Sequence, residues 1–495
     1  MGYRARQVSG DDSKISMNIR KTVFLWLWVV FVVPAWGRVF VHWTQSAIPS
    51  PKALGVNDLV LSWDAGTLSL LNVARRQDYR IYLEATLPEA AAAAEASAKN
   101  GVAGLILDVR QPEQGQVDGV VGKLQSAYPK LTLLVLNPDG KQPQMKGGLV
   151  IKRGEILEVS SPTAQPWLDT NLALVRFQQS SRPGQVPLYS FHWDLSDPLK
   201  QQNGPTAEDY SLAVAESDAF QADLVLPLHE NLQIGLAKND AGAWTLWNEV
   251  KRYLEFASHT PVRLDPAANM GIVTDDYETS YEPINLLARH NIPFRIFRPT
   301  DLQSHSLKDI DVLVVFDMPD RQTIKLIGDF ADQGGIAILV DLPGSYPWQS
   351  VQRVETAKHW AAYAMGQGRI IELSEPLTDP ETFAQDIRRL MDKQKLISFW
   401  NALTTVAVPY RESGTVATIL ELVNYAQDPL RVQVQVKGSY SSIQYETPEH
   451  GCCESLTPVQ HDGFTEFVVP WLRIGGRVHL RAGGSAAHEG PSRPK

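Results

Sequence analysis

Residues 80–109 read RIYLEATLPEAAAAAEASAKNGVAGLILDV. Arg80–Ala85 is a short apolar run that suits a strand. Leu87–Asn100 is rich in alanine, the best helix former, and Gly101 stands where a left-handed cap would end that helix. Gly104–Val109 is a second apolar run. Strand, helix and strand in this order, with strands apolar on both faces, imply a parallel sheet, because a parallel pair needs a long crossover.

The same alternation extends both ways. Asp58–Trp63 (DLVLSW), Leu131–Asn137 (LTLLVLN), Asn171–Phe177 (NLALVRF), Val186–Trp193 (VPLYSFHW) and Ala222–Leu228 (ADLVLPL) read as further strands. Gly147–Val159 reads as a hairpin around Arg153-Gly154. Around Ala243–Ala257, Trp244, Trp247, Val250 and Leu254 recur at helical spacing. Between residues 57 and 258 this gives roughly eight strands, the count of a (β/α)8 barrel, in a length at the lower end for that fold. The expectation is an irregular α/β barrel.

A second unit spans residues 261–395. Met270–Val273, Phe294–Phe297, Asp311–Phe316, Ile336–Val340 and Gly368–Leu373 are its strands. Ile284–His290, Arg321–Gln333 and Pro380–Lys393 are its helices, the middle one stopped by Gly334-Gly335. This pattern predicts a flavodoxin-like, doubly wound domain. Helical periodicity is lost over residues 400–481. Thr415–Tyr425, Leu430–Lys437, Phe464–Pro470 and Arg477–Leu480 alternate between polar turns, which predicts a small all-β sandwich. Residues 482–495 hold few apolar side chains and are expected to be disordered.

The N-terminus reads as an export signal over residues 1–37. Arg20 and Lys21 precede the uncharged TVFLWLWVVFVVPAWG of Thr22–Gly37, and Ala35 and Gly37 supply the small residues of a cleavage site. Met17 is a second candidate start. The run is shorter than the ~20 residues of a membrane helix. The competing reading is an uncleaved anchor, since Val39, Phe40 and Val41 extend the apolar stretch. Either way the bulk of the chain is expected outside the cytoplasm, periplasmic or secreted.

Composition excludes several functions. The 495 residues carry a formal net charge of -9, which argues against nucleic acid as a partner. The 2 cysteines, Cys452 and Cys453, are adjacent, so neither a disulfide framework nor a zinc-finger spacing follows. There is no G-x-x-x-x-G-K-[ST] loop, no H-E-x-x-H helix and no G-x-S-x-G elbow, so neither a cofactor nor a metal is implied.

The stretches NMGIVTDDYETSYEPINLLARHNIPFRIF (269–297), DVLVVFDMPDRQTIKLIGDFADQGGIAILV (311–340) and GQGRIIEL (366–373) resemble a class I glutamine-amidotransferase-like domain. Such domains follow the barrel in some glycoside hydrolases, including families similar to bacterial beta-galactosidases. LVNY at Leu422–Tyr425 resembles the C-terminal sandwich of those enzymes. GVAGLILDV (101–109) and QPWLDTNLALVRF (165–177) more loosely resemble their barrels. The resemblance implies an exported glycosidase-like protein with a carbohydrate partner, in an assembly that could be a homo-oligomer. A working glutaminase needs a cysteine nucleophile, and neither cysteine lies between Pro261 and Lys393, so the middle domain is expected to be structural. Its acidic residues Asp275, Asp276 and Glu278 either face a neighbouring site or form a solvated loop before a helix.

In a barrel, catalytic groups stand at the C-terminal ends of strands. Glycoside hydrolysis uses paired carboxylates, one kept protonated by its surroundings. Asp64, Glu84, Asp108, Asp194 and Glu230 sit at or just past expected strand ends. Asp108 and Glu230 are the expected catalytic pair, because each ends a strongly apolar run where a carboxylate is costly unless used or paired. The alternative is helix capping or an Arg partner, Arg110 for Asp108. Trp63, Trp167 and Trp193, beside Asp64, Asp169 and Asp194, are candidate platforms for a sugar ring. Their alternative is core filling. A non-catalytic carbohydrate-binding or cell-envelope protein on the same scaffold is the second functional reading.

Overall fold

The computed structural model describes residues 37–482 apart from 65, 111–114, 138–143, 146–148, 151–166, 169, 194–203, 260–263, 318–319, 352, 412–417 and 427. The parallel strands are β1 (Val39–His42), β2 (Asp58–Ser62), β3 (Arg80–Thr86), β4 (Gly104–Asp108), β5 (Thr132–Leu136), β6 (Leu188–Tyr189) and β7 (Asp223–Pro227). They form one 7-stranded sheet in the order β5-β4-β3-β2-β1-β7-β6. Its outer strands β5 and β6 approach each other, so the sheet is a nearly closed barrel. Each strand sends one residue into the interior core: Phe40, Val60, Tyr82, Ile106, Leu136, Leu188 and Val225.

Three strand expectations are corrected. The barrel begins at Val39, not near residue 57, and β1 sits between β2 and β7. Its four residues adjoin a long apolar run, and periodicity cannot separate a buried strand from such a run. Asn171–Phe177 is not a strand but the start of helix Leu172–Ser181. Residues 171–178 are all buried, so the helix shows no apolar stripe to betray its 3.6-residue period. Val186–Trp193 splits into β6 and a two-residue piece, His192–Trp193, which pairs with Gln144–Met145 outside the barrel. The sheet therefore has 7 strands where about eight were expected. Leu149–Val150 pairs antiparallel with Trp167–Leu168, while the hairpin tip at Arg153-Gly154 lies outside the described residues.

The expected helices of the barrel layer are present. Ala90–Asn100 ends at Gly101, whose φ of 59° is left-handed. Thr206 caps Ala207–Phe220 by a reciprocal pair of bonds with Asp209. Asp240 caps Ala241–Ser258, which packs against Ala207–Phe220.

The middle unit holds parallel strands Phe294–Phe297, Met270–Val273, Val312–Val315, Ile336–Val340 and Gly368–Leu373, in that spatial order. Trp360–Met365 and Arg353–Thr356 extend the sheet antiparallel. Gly368 is required here, since a Cβ would lie 2.1 Å from the Gly335 carbonyl oxygen. The C-terminal unit packs a 6-stranded sheet on a 4-stranded one around Leu420, Val434, Phe467 and Val478. All three units belong to one compact body. Glu216 of helix Ala207–Phe220 helps to join them. It accepts from Asn171 at 2.5 Å and from Tyr425 of the sandwich at 2.6 Å. Cys452 and Cys453, on the strand Gly451–Leu456, are joined to each other.

Candidate active site at the barrel mouth

Side chains alternate along a strand, so residues two apart share a face. His42, Ser62, Glu84 and Asp108 therefore share the barrel-facing side with Phe40, Val60, Tyr82 and Ile106, one layer nearer the C-terminal opening. They come from four adjacent strands, β1 to β4. His42 Nε2 lies 2.8 Å from Ser62 Oγ. Ser62 pairs in register with Glu84 on β3. Asn137, just past β5, closes the arc. Its φ of 50° turns the chain out of the strand, and its side-chain amide donates to Asp108 Oδ1 at 3.4 Å.

This layer is electrostatically set apart from the rest of the interior. Burial pushes the Glu84 carboxyl up to about 7, and the charge of Asp108 adds to the push. Asp108 is 8% exposed. Burial also holds His42 below the usual imidazole range, which favours the neutral ring. Two carboxyls thus share one low-dielectric rim, and burial, with the charge of Asp108 adding to it, keeps a proton on Glu84. Such an arrangement can donate a proton from one carboxyl and present negative charge from the other.

The opposite opening is closed by charge pairs. Asp223 accepts from Arg38 Nη2 at 2.8 Å and Nε at 3.1 Å. Asp58 accepts from Arg80 Nε at 2.7 Å and Nη2 at 2.5 Å. Asp58 and Asp223 are buried, each on an arginine fork. These groups sit at the N-terminal ends of strands and form a structural floor.

Of the residues predicted from sequence, the structure brings Glu84 and Asp108 together. Glu230 is elsewhere: β7 ends at Pro227, and Glu230 is the exposed first residue of helix Glu230–Ala237, capped by His229. Asp64 accepts from Gly66 N at 2.7 Å and Thr67 Oγ1 at 3.1 Å, so it forms the turn into helix Thr67–Arg76. Trp63 packs on the outer core between sheet and helices. Trp193 donates to the Pro227 carbonyl at 2.7 Å and stands edge-on to Phe191 and Tyr210. Trp167 lies in the short strand Trp167–Leu168, and Asp194 lies outside the described residues. His42, Ser62 and Asn137 escaped sequence reading. The LTLLVLN run ends on Asn137, but nothing local signals that its amide reaches Asp108.

The acidic residues of the middle unit serve its own fold. Asp276 caps helix Tyr277–Arg289, and Asp275 accepts from Arg298 at 2.7 Å. Among the described residues, one set of groups is close enough to share a metal: Glu446, Cys452 and Cys453. It lies in the sandwich. The two sulfurs are bonded to each other, and Glu446 is bound by Arg477 and His479, so the set does not fit a resident ion.

No protein-family model matches the chain, and no curated protein matches it by sequence. Its structure is similar to alpha-L-fucosidase isoenzyme 2 from Paenibacillus thiaminolyticus, with a TM-score of 0.59 and 12% identity over 90% of this chain and 100% of that one. It is also similar to a beta-galactosidase from Rahnella sp. R3, with a TM-score of 0.53 and 10% identity over 87% of this chain and 94% of that one. At such identities the likeness concerns the fold. The chain has the architecture of a glycoside-hydrolase-like multidomain protein, with a nearly closed parallel barrel followed by further units.

Proposed function

We propose that the chain is an exported glycosidase that cleaves a glycosidic bond at the barrel mouth, with Glu84 as proton donor and Asp108 as its carboxylate partner. The observation that supports this reading is the pairing of a carboxyl held up to about 7 with a second acid on the same rim. Below that pH Glu84 carries a proton it can give to the leaving oxygen. Asp108 supplies negative charge to an oxocarbenium-like transition state. His42 and Ser62 offer hydrogen bonds to sugar hydroxyls. The middle unit, whose strand order is that of a flavodoxin-like sheet, serves as a glutamine-amidotransferase-like scaffold without nucleophile. Export rests on the sequence of Thr22–Gly37.

The test is a screen of the purified chain against aryl glycosides, with Glu84→Gln, Asp108→Asn and Glu230→Gln beside it. Loss of at least about a hundredfold in kcat for the first two, with Glu230→Gln near wild type, supports the assignment. If Asp108→Asn and Glu230→Gln are the damaging pair, the acid stands across the mouth instead. The deep burial of Asp108 favours a second reading, a carbohydrate-binding protein without turnover. Binding without product release from any substrate would establish it.

A further inference from the structure

Four polar side chains stand in a row on adjacent strands at the barrel mouth, and glycoside cleavage uses only Glu84 and Asp108 as acid and carboxylate. The other two, His42 on β1 and Ser62 on β2, are an imidazole and a hydroxyl 2.8 Å apart. That is hydrogen-bond reach for a general base and its nucleophile. Ser62 is the last residue of β2 and is exposed. The turn that follows does not use its hydroxyl. Thr67 Oγ1 donates to the Ser62 carbonyl at 2.7 Å, and Asp64 accepts from Gly66 N at 2.7 Å. Among the described residues, the Ser62 hydroxyl bonds His42 alone.

His42 is suited to the part of base. Burial holds its ring below the usual imidazole range, so the neutral form dominates near neutral pH. With the ring proton on Nδ1, Nε2 accepts from Ser62 Oγ. On the other side of Ser62 stands Glu84, its in-register neighbour on β3. Adjacent strands lie about 4.8 Å apart, so both side chains can reach one bound group. The Glu84 carboxyl keeps its proton up to about 7. A neutral carboxyl in a low-dielectric site is a hydrogen-bond donor, the part an oxyanion-hole group plays. Base, hydroxyl and donor thus follow one another across β1, β2 and β3. Between the lowered imidazole value and about 7, all three hold the protonation state that acyl transfer needs.

We infer that the barrel mouth also hydrolyses carboxylic esters of a sugar, with Ser62 as nucleophile, His42 as general base and Glu84 as oxyanion donor. Ser62 Oγ bonds the acyl carbon while its proton passes to His42 Nε2. The carbonyl π pair moves onto oxygen, where the Glu84 O–H holds it. When that pair returns, the bond from the acyl carbon to the sugar oxygen breaks, and the sugar oxygen takes the proton from His42. Water then attacks the acyl-serine and gives a proton to His42. The carboxylic acid leaves as Ser62 Oγ regains that proton. The sugar as alcohol component rests on the carbohydrate reading given above, but the ester chemistry does not rest on glycoside cleavage.

The experiment is a pair of assays on the full chain. Para-nitrophenyl acetate and an acetylated methyl glucoside report ester cleavage. A fluorophosphonate followed by peptide mass spectrometry reports the nucleophile. Both esters should be cleaved and the label should fall on Ser62. Ser62→Ala and His42→Gln should each cut the ester rate at least about a hundredfold with the melting midpoint unchanged. Glu84→Leu, which cannot donate, should cut it about a hundredfold, whereas Glu84→Gln, whose amide still donates, should keep at least about ten times the rate of Glu84→Leu. Glu230→Gln, on its exposed helix, should match wild type. No label on Ser62, an ester rate that survives Ser62→Ala, or equal loss in Glu84→Gln and Glu84→Leu overturns the inference. Aryl glycosides cleaved with Ser62 unlabelled removes it and keeps the glycosidase. Ester turnover through a labelled Ser62 with every glycoside intact does the reverse.

Discussion

Arg477 of the sandwich and Asp218 of barrel helix Ala207–Phe220 meet at 3.0 Å with side chains only 2% and 6% exposed. The same guanidinium donates to Glu421 at 2.5 Å and Glu446 at 3.1 Å, and lies 4.8 Å from the Phe256 ring centroid. One cation thus holds three carboxyls at the seam between barrel and sandwich. Burial pushes Glu421 up to about 7; Arg477 opposes that push and Asp218 adds to it. Arg477→Met leaves acids buried without a counter-charge, and it should destabilise the chain by about 3–5 kcal/mol. Denaturant unfolding measures this. Arg389→Ala, at an exposed pair, should change stability by less than about 0.5 kcal/mol.

Raising pH should weaken the fold. The folded Glu84 keeps its proton up to about pH 7, whereas an unfolded glutamate releases it near 4.5. Between those values the folded state binds more protons, so stability is greatest at the acid end and drains as pH climbs through 7. Glu421 acts in the same sense. Thermal melts between pH 5 and 8 should show a loss on the order of 1–3 kcal/mol. Glu84→Gln should match wild type at pH 5 and exceed it at pH 8. A Glu84→Gln melt that tracks wild type at every pH contradicts the assignment.

If Glu84 is the proton donor, the same titration appears in the rate. kcat/KM for a glycoside with a poor leaving group should fall above pH 7, in step with loss of the Glu84 proton. An activated leaving group needs less protonation, so Glu84→Gln should cost it less, by roughly tenfold or more relative to the poor one.

The barrel floor should tolerate removal of a whole pair better than of half. Arg38→Met strands Asp223, whose side chain is 2% exposed, and should cost about 3–5 kcal/mol. Adding Asp223→Leu should restore most of that loss, as read by the urea midpoint.

Trp193 separates structure from recognition. Trp193→Phe keeps an aromatic ring but removes the bond to the Pro227 carbonyl, at a cost of about 1–3 kcal/mol. Sugar affinity should hold at its wild-type value in a titration below the melting range. Lower affinity with full stability would instead make Trp193 a sugar platform.

Much of this architecture is legible in the chain. Asp58–Ser62, Arg80–Thr86, Gly104–Asp108, Thr132–Leu136 and Asp223–Pro227 all coincide with apolar runs. The parallel strands of the middle unit do too, because an apolar run between turn signals is a local property. Strand-end position also marked Glu84 and Asp108. What stayed hidden was non-local. Val39–His42 merged with the apolar run before it, and Leu172–Ser181 lost its period because every side is covered.

Amino-acid order by itself determined where most strands and helices form, since spacing, caps and turns act over a few residues. Only the tertiary structure decided that His42 meets Ser62, that Glu84 answers to Asp108, and that Glu230 stands on a helix rather than at a strand end. The reason is register. Which strand ends become neighbours depends on how a curled sheet closes, and that is fixed by packing among residues far apart along the chain.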